Sequence, residues 1–160
     1  DYPSEFNTIF EERNVPSKPT VYLCAQDRGP NGSLNGSERL LMLVNAPADG
    51  DRQSWSEDDV ARTRDNALAV LERCGLNLSF RDSDCVSTTP NDWQGRFPGS
   101  GGSLYGGASH GIWSSFTRPG ARCRLKGLYL SGGSVHPGPG VPMATLSGRL
   151  AASAVIRDIA

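Results

Sequence analysis

The sequence predicts an α+β chain built in two parts, and three observations carry that reading. Residues 20–26 and 39–45 have the apolar patterning of two strands. Val60, Arg64, Ala67, Leu71 and Cys74 fall on one helical stripe between acidic and glycine boundaries. Further along, Leu128, Tyr129 and Leu130 lead into a glycine-rich bend and a second helix beginning near Pro142.

The first element is a short helix within residues 1–19. Phe6, Ile9 and Phe10 share one side of it, and Asn14-Val15-Pro16 ends it, with Pro19 as a second break. Residues 20–26 then alternate, Val21, Leu23 and Ala25 on one face and Tyr22, Cys24 and Gln26 on the other. Residues 27–37 are turn formers and contain Asn-Gly twice. Residues 39–45 are apolar enough for a strand buried on both faces. The two strands are expected to pair antiparallel across a long polar loop.

Ser56-Glu57-Asp58-Asp59 has the chemistry of a helix start. The Ser56 hydroxyl can accept from the amide three residues on, and the acids favour the positive end of the helix dipole. Gly75 supplies a left-handed cap at the other end. A strand is expected over residues 76–81. Residues 89–102 hold four Gly and two Pro and read as nearly all loop, with a domain boundary near residues 90–100.

Composition limits the function classes. The 160 residues are 37% hydrophobic, and the longest apolar run, residues 40–44, is far shorter than the ~20 that cross a bilayer. Mean hydropathy is −0.40. Nineteen Gly and eleven Pro without a fixed period indicate a loop-rich globular chain. The start, Asp1-Tyr2-Pro3-Ser4, has no targeting pattern, and the chain reads as a piece of something longer. Residues 1–92 hold nine Lys/Arg and sixteen Asp/Glu, whereas residues 93–160 hold seven Lys/Arg and one acid, Asp158. A basic half suits an anionic partner or an acidic segment of a longer chain. Nucleic acid is not expected, because the basic residues are dispersed and no known recognition motif accompanies them.

Cys24, Cys74, Cys85 and Cys123 form no C-x-x-C pair and there are only two histidines, so no metal site is expected; the cysteines read as buried or inert in a reducing compartment, with one or two disulfides as the alternative. Gly107-Ala108-Ser109-His110-Gly111 matches G-x-S-x-G, but no acid precedes a histidine downstream of Ser109, as a hydrolase elbow requires.

The richer pattern is residues 126–150. Gly132 and Gly133 end the strand without side chains, Pro142 suits a first helical turn, and Ala144, Ser147, Gly148 and Ala151 form a small-residue face. Strand, bend and helix N-terminus make a place where backbone amides can meet an anion. The alternative is a purely structural strand-to-helix turn.

The run Gly127-Leu-Tyr-Leu-Ser-Gly-Gly-Ser-Val-His-Pro-Gly-Pro-Gly-Val-Pro-Met143, followed by Leu146-Ser-Gly-Arg-Leu-Ala-Ala152, resembles the C-terminal signature of the phytoene-desaturase family of FAD-dependent carotenoid desaturases. Gly101-Gly-Ser-Leu-Tyr-Gly106 resembles the segment preceding it. Pro19-Thr-Val-Tyr-Leu-Cys-Ala-Gln-Asp-Arg28 resembles the hydroxyneurosporene/methoxyneurosporene desaturase branch of purple photosynthetic bacteria.

This resemblance implies that residues 1–95 are part of a substrate-binding domain, a mostly antiparallel sheet with flanking helices. Residues 96–160 would be the returning strand, turn and helix of a Rossmann-like FAD domain whose N-terminal half is absent. It implies hydride transfer from an acyclic hydroxy- or methoxycarotenoid to FAD, leaving a conjugated double bond, in carotenoid biosynthesis. Cofactor contacts fall on Gly132, Gly133, Ser134, Gly140, Val141, Pro142 and Met143. His136 is a candidate acid–base residue or, alternatively, a group that fixes the bend. Tyr105, Trp113 and Phe116 are candidates for lining the substrate tunnel or for core. Residues 120–126 read as a solvated basic loop, with lipid contact as the lesser reading. The expected place is the cytoplasm, peripheral on the inner or photosynthetic membrane. The 160 residues alone are expected to be inactive and open to self-association. Two alternatives stand beside this: another flavin oxidoreductase of amine-oxidase or retinol-saturase type, and a non-catalytic module such as the GDP-dissociation inhibitors.

Overall fold

The computed structural model describes residues 2–28, 36–104 and 118–160. The elements in order are α1 (Tyr2–Phe10), β1 (Val21–Ala25), β2 (Leu40–Val44), α2 (Glu57–Arg73), α3 (Pro90–Arg96) and α4 (Val141–Ile159), with one 3₁₀ turn at Asp82–Asp84. The chain divides into two compact units, Asp1–Gly102 and Ser103–Ala160.

In the first unit, β1 and β2 pair antiparallel with Leu23 opposite Met42, the arrangement their patterning predicts. The expectation that β2 is buried on both faces does not hold. Leu40, Leu41 and Leu43 are 38%, 40% and 42% exposed. Among the described residues the sheet has two strands, and the helix packed on it, α2, meets β1.

Two helix ends explain themselves chemically. Ser56 and Asp59 form a reciprocal capping box at the start of α2: the Asp59 amide donates to Ser56 Oγ at 3.2 Å, and the Ser56 amide donates to Asp59 Oδ2 at 2.9 Å. At the other end the Leu76 amide donates to the Leu71 carbonyl and the Gly75 amide to the Glu72 carbonyl. Gly75 has φ 84°, so this is a Schellman cap on a residue that tolerates the left-handed region. Ala67 and Leu71 face inward.

Three expectations are corrected here. Residues 76–81 are not a strand. Leu76 and Phe80 alternate as a strand would, but no neighbouring strand accepts their backbone bonds, and both are exposed. Residues 89–102 are not all loop, because Thr89 and Asp92 form a second capping box and Pro90 sits in the first turn of α3. The reading of the cysteines as buried or inert is corrected only as to burial: Cys74 and Cys85 are exposed, Cys24 and Cys123 are half-buried, and all four are free. Cys74 points outward because α2 ends there, as its C-cap.

Glu5 ties α1 to the sheet. It is 5% exposed, and its carboxylate accepts from the Thr20 amide at 3.0 Å, from Thr20 Oγ1 and from Asn45 Nδ2 at 3.1 Å. Burial alone would raise the Glu5 pKa, but these donors outweigh it and hold the carboxyl below its ordinary value. The segments after β2 and after α3 meet backbone to backbone. A Cβ on Gly50 or on Gly102 would stand 2.3 Å from the Pro90 carbonyl oxygen, so only glycine fits. Asn91 bridges them, donating to the Gly50 and Gln53 carbonyls and accepting from the Trp55 amide.

In the second unit the expected buried strand at residues 128–130 is reduced to one antiparallel bridge, Arg122 to Tyr129, extended by the Leu130 amide donating to the Ala121 carbonyl at 2.9 Å. Leu128 is 48% exposed, because this bridge supplies a single neighbour and no sheet. The 19-residue α4 buries its small-residue face: Ser147 is 0% and Ala154 1% exposed, and Ala144, Gly148 and Ala151 are half-buried. Among the described residues no helix is long and apolar enough to cross a membrane. No group of three or more His, Cys, Asp or Glu among them is placed to hold a metal ion.

Candidate functional site

Among the described residues, the predicted site residues come together at the glycine-rich turn preceding α4. Gly132, Gly138 and Gly140 have φ 121°, 132° and 97°, a region that L side chains rarely enter, so the chain can fold back here only on glycine. The two ends of the turn touch: a Cβ on Gly133 would lie 3.6 Å from Pro139 Cα. Val135, 6% exposed, anchors the middle, and its amide donates to the Gly132 carbonyl at 3.1 Å.

Three bonds fix this otherwise permissive backbone from outside. The Gly132 amide donates to Ser147 Oγ on α4 at 3.2 Å. The His136 amide donates to the Pro119 carbonyl at 2.9 Å. Arg118 Nη1 donates to the Gly133 carbonyl at 3.2 Å, and its side chain lies along Gly138, with Nε 3.5 Å from where a Cβ would stand.

The turn delivers the chain to the start of α4. Gly140 is the N-cap and its carbonyl accepts the Ala144 amide at 2.8 Å, while no side chain caps the helix. Pro142 has no amide to leave unpaired, and the amides of Val141 and Met143 have no acceptor among the described residues. Val141 and Met143 are 82% and 43% exposed, and beside Gly132 and Gly140 there is open space where side chains would be. A flat group with an electron-rich edge can therefore approach free amides at the positive end of a helix dipole.

Electrostatics agree. The single acid of residues 93–160, Asp158, stands at the far end of α4, roughly 25 Å away at 1.5 Å rise per residue. It accepts from Arg122 Nε and Nη2 at 2.9 and 2.8 Å and from the Tyr129 hydroxyl at 2.8 Å. The Arg122 bonds, then that of Tyr129, hold its carboxyl down at about 2. Tyr129 is pushed above its ordinary value by the same bond. Arg122, in the segment read as a solvated basic loop, is thus committed to an ion pair.

Of the predicted residues, Gly132 and Gly133 are half-buried in the turn, and Ser134, Gly140, Val141, Pro142 and Met143 are exposed on it and on the first turn of α4. His136 is exposed and its imidazole has no hydrogen-bond partner among the described residues; its amide, rather than its ring, fixes the bend. Tyr105, Trp113 and Phe116, and Ser109 of the G-x-S-x-G match, lie outside the described residues. Sequence reasoning named Ser147 only for its size and left Arg118 unassigned. Their partners lie fifteen residues away for both bonds, and no local pattern marks such pairs.

Comparison with known proteins adds two kinds of finding. The model of the family described as flavin containing amine oxidoreductase matches residues 2–156. The chain is 50% identical to the hydroxyneurosporene desaturase of Rubrivivax gelatinosus, covering 99% of this chain and 30% of that protein. It is 42% identical to the hydroxyneurosporene desaturase of Rhodobacter capsulatus over 90% of this chain and 28% of the relative. It is 32% identical to the 4,4'-diapolycopene oxygenase of a Methylomonas species over 99% of this chain and 33% of the relative. The chain spans about a third of the length of these curated relatives.

Proposed function

The chain belongs to the flavin containing amine oxidoreductase family, and from that premise we propose that the full-length protein is an FAD-dependent desaturase of hydroxylated acyclic carotenoids. The observation that carries the proposal is the 50% identity, across nearly the whole chain, to a hydroxyneurosporene desaturase. The site geometry supports it independently, since the residues present suit the edge of a flavin.

A bound flavin supplies a two-electron acceptor, the chemistry that an unactivated C–H bond needs and that side chains lack. What this chain contributes is binding and orientation. Gly132 and Gly133 let the backbone come close to a flat ring. The amides of Val141 and Met143 face it as free donors, and the helix dipole behind them favours negative charge at the ring edge. Gly140 and Pro142 fix the direction in which those amides point. We read the second unit as the returning part of a Rossmann-like FAD domain and the first unit as part of the substrate domain. The exposed basic residues of the second half suit a protein at an anionic membrane surface, so we place it in the cytoplasm, peripheral on the inner or photosynthetic membrane.

The test uses the full-length protein with FAD and a hydroxylated acyclic carotenoid, without oxygen, following flavin and polyene absorbance together. Flavin bleaching with a red-shifted polyene supports the desaturase. Flavin that binds and stays oxidised discards this substrate. A second reading, terminal oxygenation of a carotenoid, is favoured by the similarity to the Methylomonas oxygenase. An oxygen-containing product formed only in air would select it.

A further inference from the structure

We propose that Arg118 is a positioning residue for the flavin, acting through the turn at residues 132–140; this rests on the flavin reading of that turn. The turn contains four glycines and no regular structure, so its own backbone does not specify one shape. Of the three outside bonds that fix it, the Arg118 bond comes from a charged side chain, and it reaches both halves of the turn at once. Nη1 holds the Gly133 carbonyl at 3.2 Å, and the side chain lies flat along Gly138, Nε, Cδ and Cζ standing 3.5, 3.7 and 3.8 Å from where its Cβ would be.

The consequence follows from peptide planarity. The Gly133 carbonyl and the Ser134 amide belong to one rigid plane and point in opposite directions. Holding the oxygen therefore aims the Ser134 N–H, which is a predicted cofactor contact. Because Gly133 abuts Pro139, the same clamp fixes the approach to Gly140 and the free amides of Val141 and Met143. Glycine at 138 is needed for its φ of 132°, which L side chains rarely adopt, while a Cβ there would only touch the arginine side chain at ordinary contact distance. Just beyond, the His136-to-Pro119 bond continues the strap, so residues 118–119 lie across the turn as a unit. A guanidinium suits the task because it is planar, permanently charged and donates from a fixed fork; an ammonium keeps the charge but cannot lie along Gly138 and hold the carbonyl together.

The experiment compares wild type, Arg118→Lys and Arg118→Gln in the full-length protein, with added FAD as the probe. Measured are flavin stoichiometry, the bound-flavin spectrum, its midpoint potential, and kcat and KM for the hydroxylated carotenoid. The expected result for Arg118→Lys is wild-type flavin content with an altered spectrum and a lowered potential. Its kcat falls by about tenfold to a hundredfold, as a misplaced reacting group would cost, and KM is unchanged. Arg118→Gln should go further in the same direction; if it does not accumulate, Arg118→Lys decides. An Arg118→Lys protein with the wild-type spectrum, potential and kcat would overturn the positioning role, even if its melting temperature fell. A wild-type protein that takes up no flavin would overturn the flavin reading and this role with it, which separates the two failures.

Discussion

Ser147→Ala tests whether α4 itself holds the turn in place. Ser147 is fully buried, and its Oγ accepts the Gly132 amide at 3.2 Å. The substitution removes one oxygen and leaves little room, so the lost bond dominates any cavity. At 3.2 Å the bond is at the long end of the N–H···O range, and its net worth falls at about 0.5–1.5 kcal/mol. The Gly132 amide is half-buried and loses its acceptor, which brings the total to about 1–2 kcal/mol. Hydrogen–deuterium exchange of a peptide covering residues 128–135 reads that energy locally, and the Gly132 amide should exchange about five- to thirtyfold faster. Ser153→Ala, on the exposed side of the same helix, is the control and should leave exchange unchanged. Unaltered Gly132 protection in Ser147→Ala, or the same acceleration in Ser153→Ala, would refute the hold.

Three further outcomes follow from the geometry. Glu5→Leu leaves the Thr20 amide without its acceptor and frees the Thr20 hydroxyl and Asn45, and should cost about 2–4 kcal/mol in urea unfolding, with Glu5→Gln costing roughly half as much; equal losses would mean that packing, not hydrogen bonding, is at stake. Because the Glu5 carboxyl is held below its ordinary value in the folded state, its contribution is complete above the unfolded carboxylate range and fades as pH falls through the folded value, so the Glu5→Leu penalty should shrink in acid. Asp158, at about 2, should keep α4 fastened to Arg122 and Tyr129 through mild acid and release it only as pH falls toward 2. Exchange at the end of α4 checks this, and release already near the ordinary carboxylate pKa would contradict it. Asp49 is 2% exposed and neither carboxylate oxygen has a donor among the described residues, so Asp49→Asn should raise stability by about 1–3 kcal/mol, measured as a shift of the urea midpoint; a loss would show that the charge is used.

The Arg118 strap, the Ser147 hydroxyl and the amides of Val141 and Met143, unpaired among the described residues, define one chemical unit on the second half of the chain. It contains no acidic side chain, and its positive charge comes from the Arg118 guanidinium and from the amide end of α4. The acid that this half does contain is neutralised at the opposite end of α4 by Arg122 and Tyr129. That separation leaves the open end of the helix free to favour an electron-rich ligand.

What the sequence by itself determined lies within a few residues of its cause. The capping box of Ser56 and Asp59, the left-handed Gly75, Pro142 in the first turn of α4 and the strand pair all act over one turn or one ladder, and each stands where the pattern put it. The Thr89–Asp92 box was equally local and readable, but the surrounding Pro and Gly outweighed it. Tertiary structure decided the rest. Residues 76–81 alternate like a strand and are not one, because a strand requires a neighbour to take its hydrogen bonds. Leu40, Leu41 and Leu43 of β2 stay exposed because, among the described residues, the helix packed on the sheet meets β1. The partners of Arg118 and Ser147 could not be read from spacing, because which distant carbonyl or amide a side chain meets is set by how the chain closes on itself. Local chemistry selects the conformation of a segment; only the closed fold selects its partner.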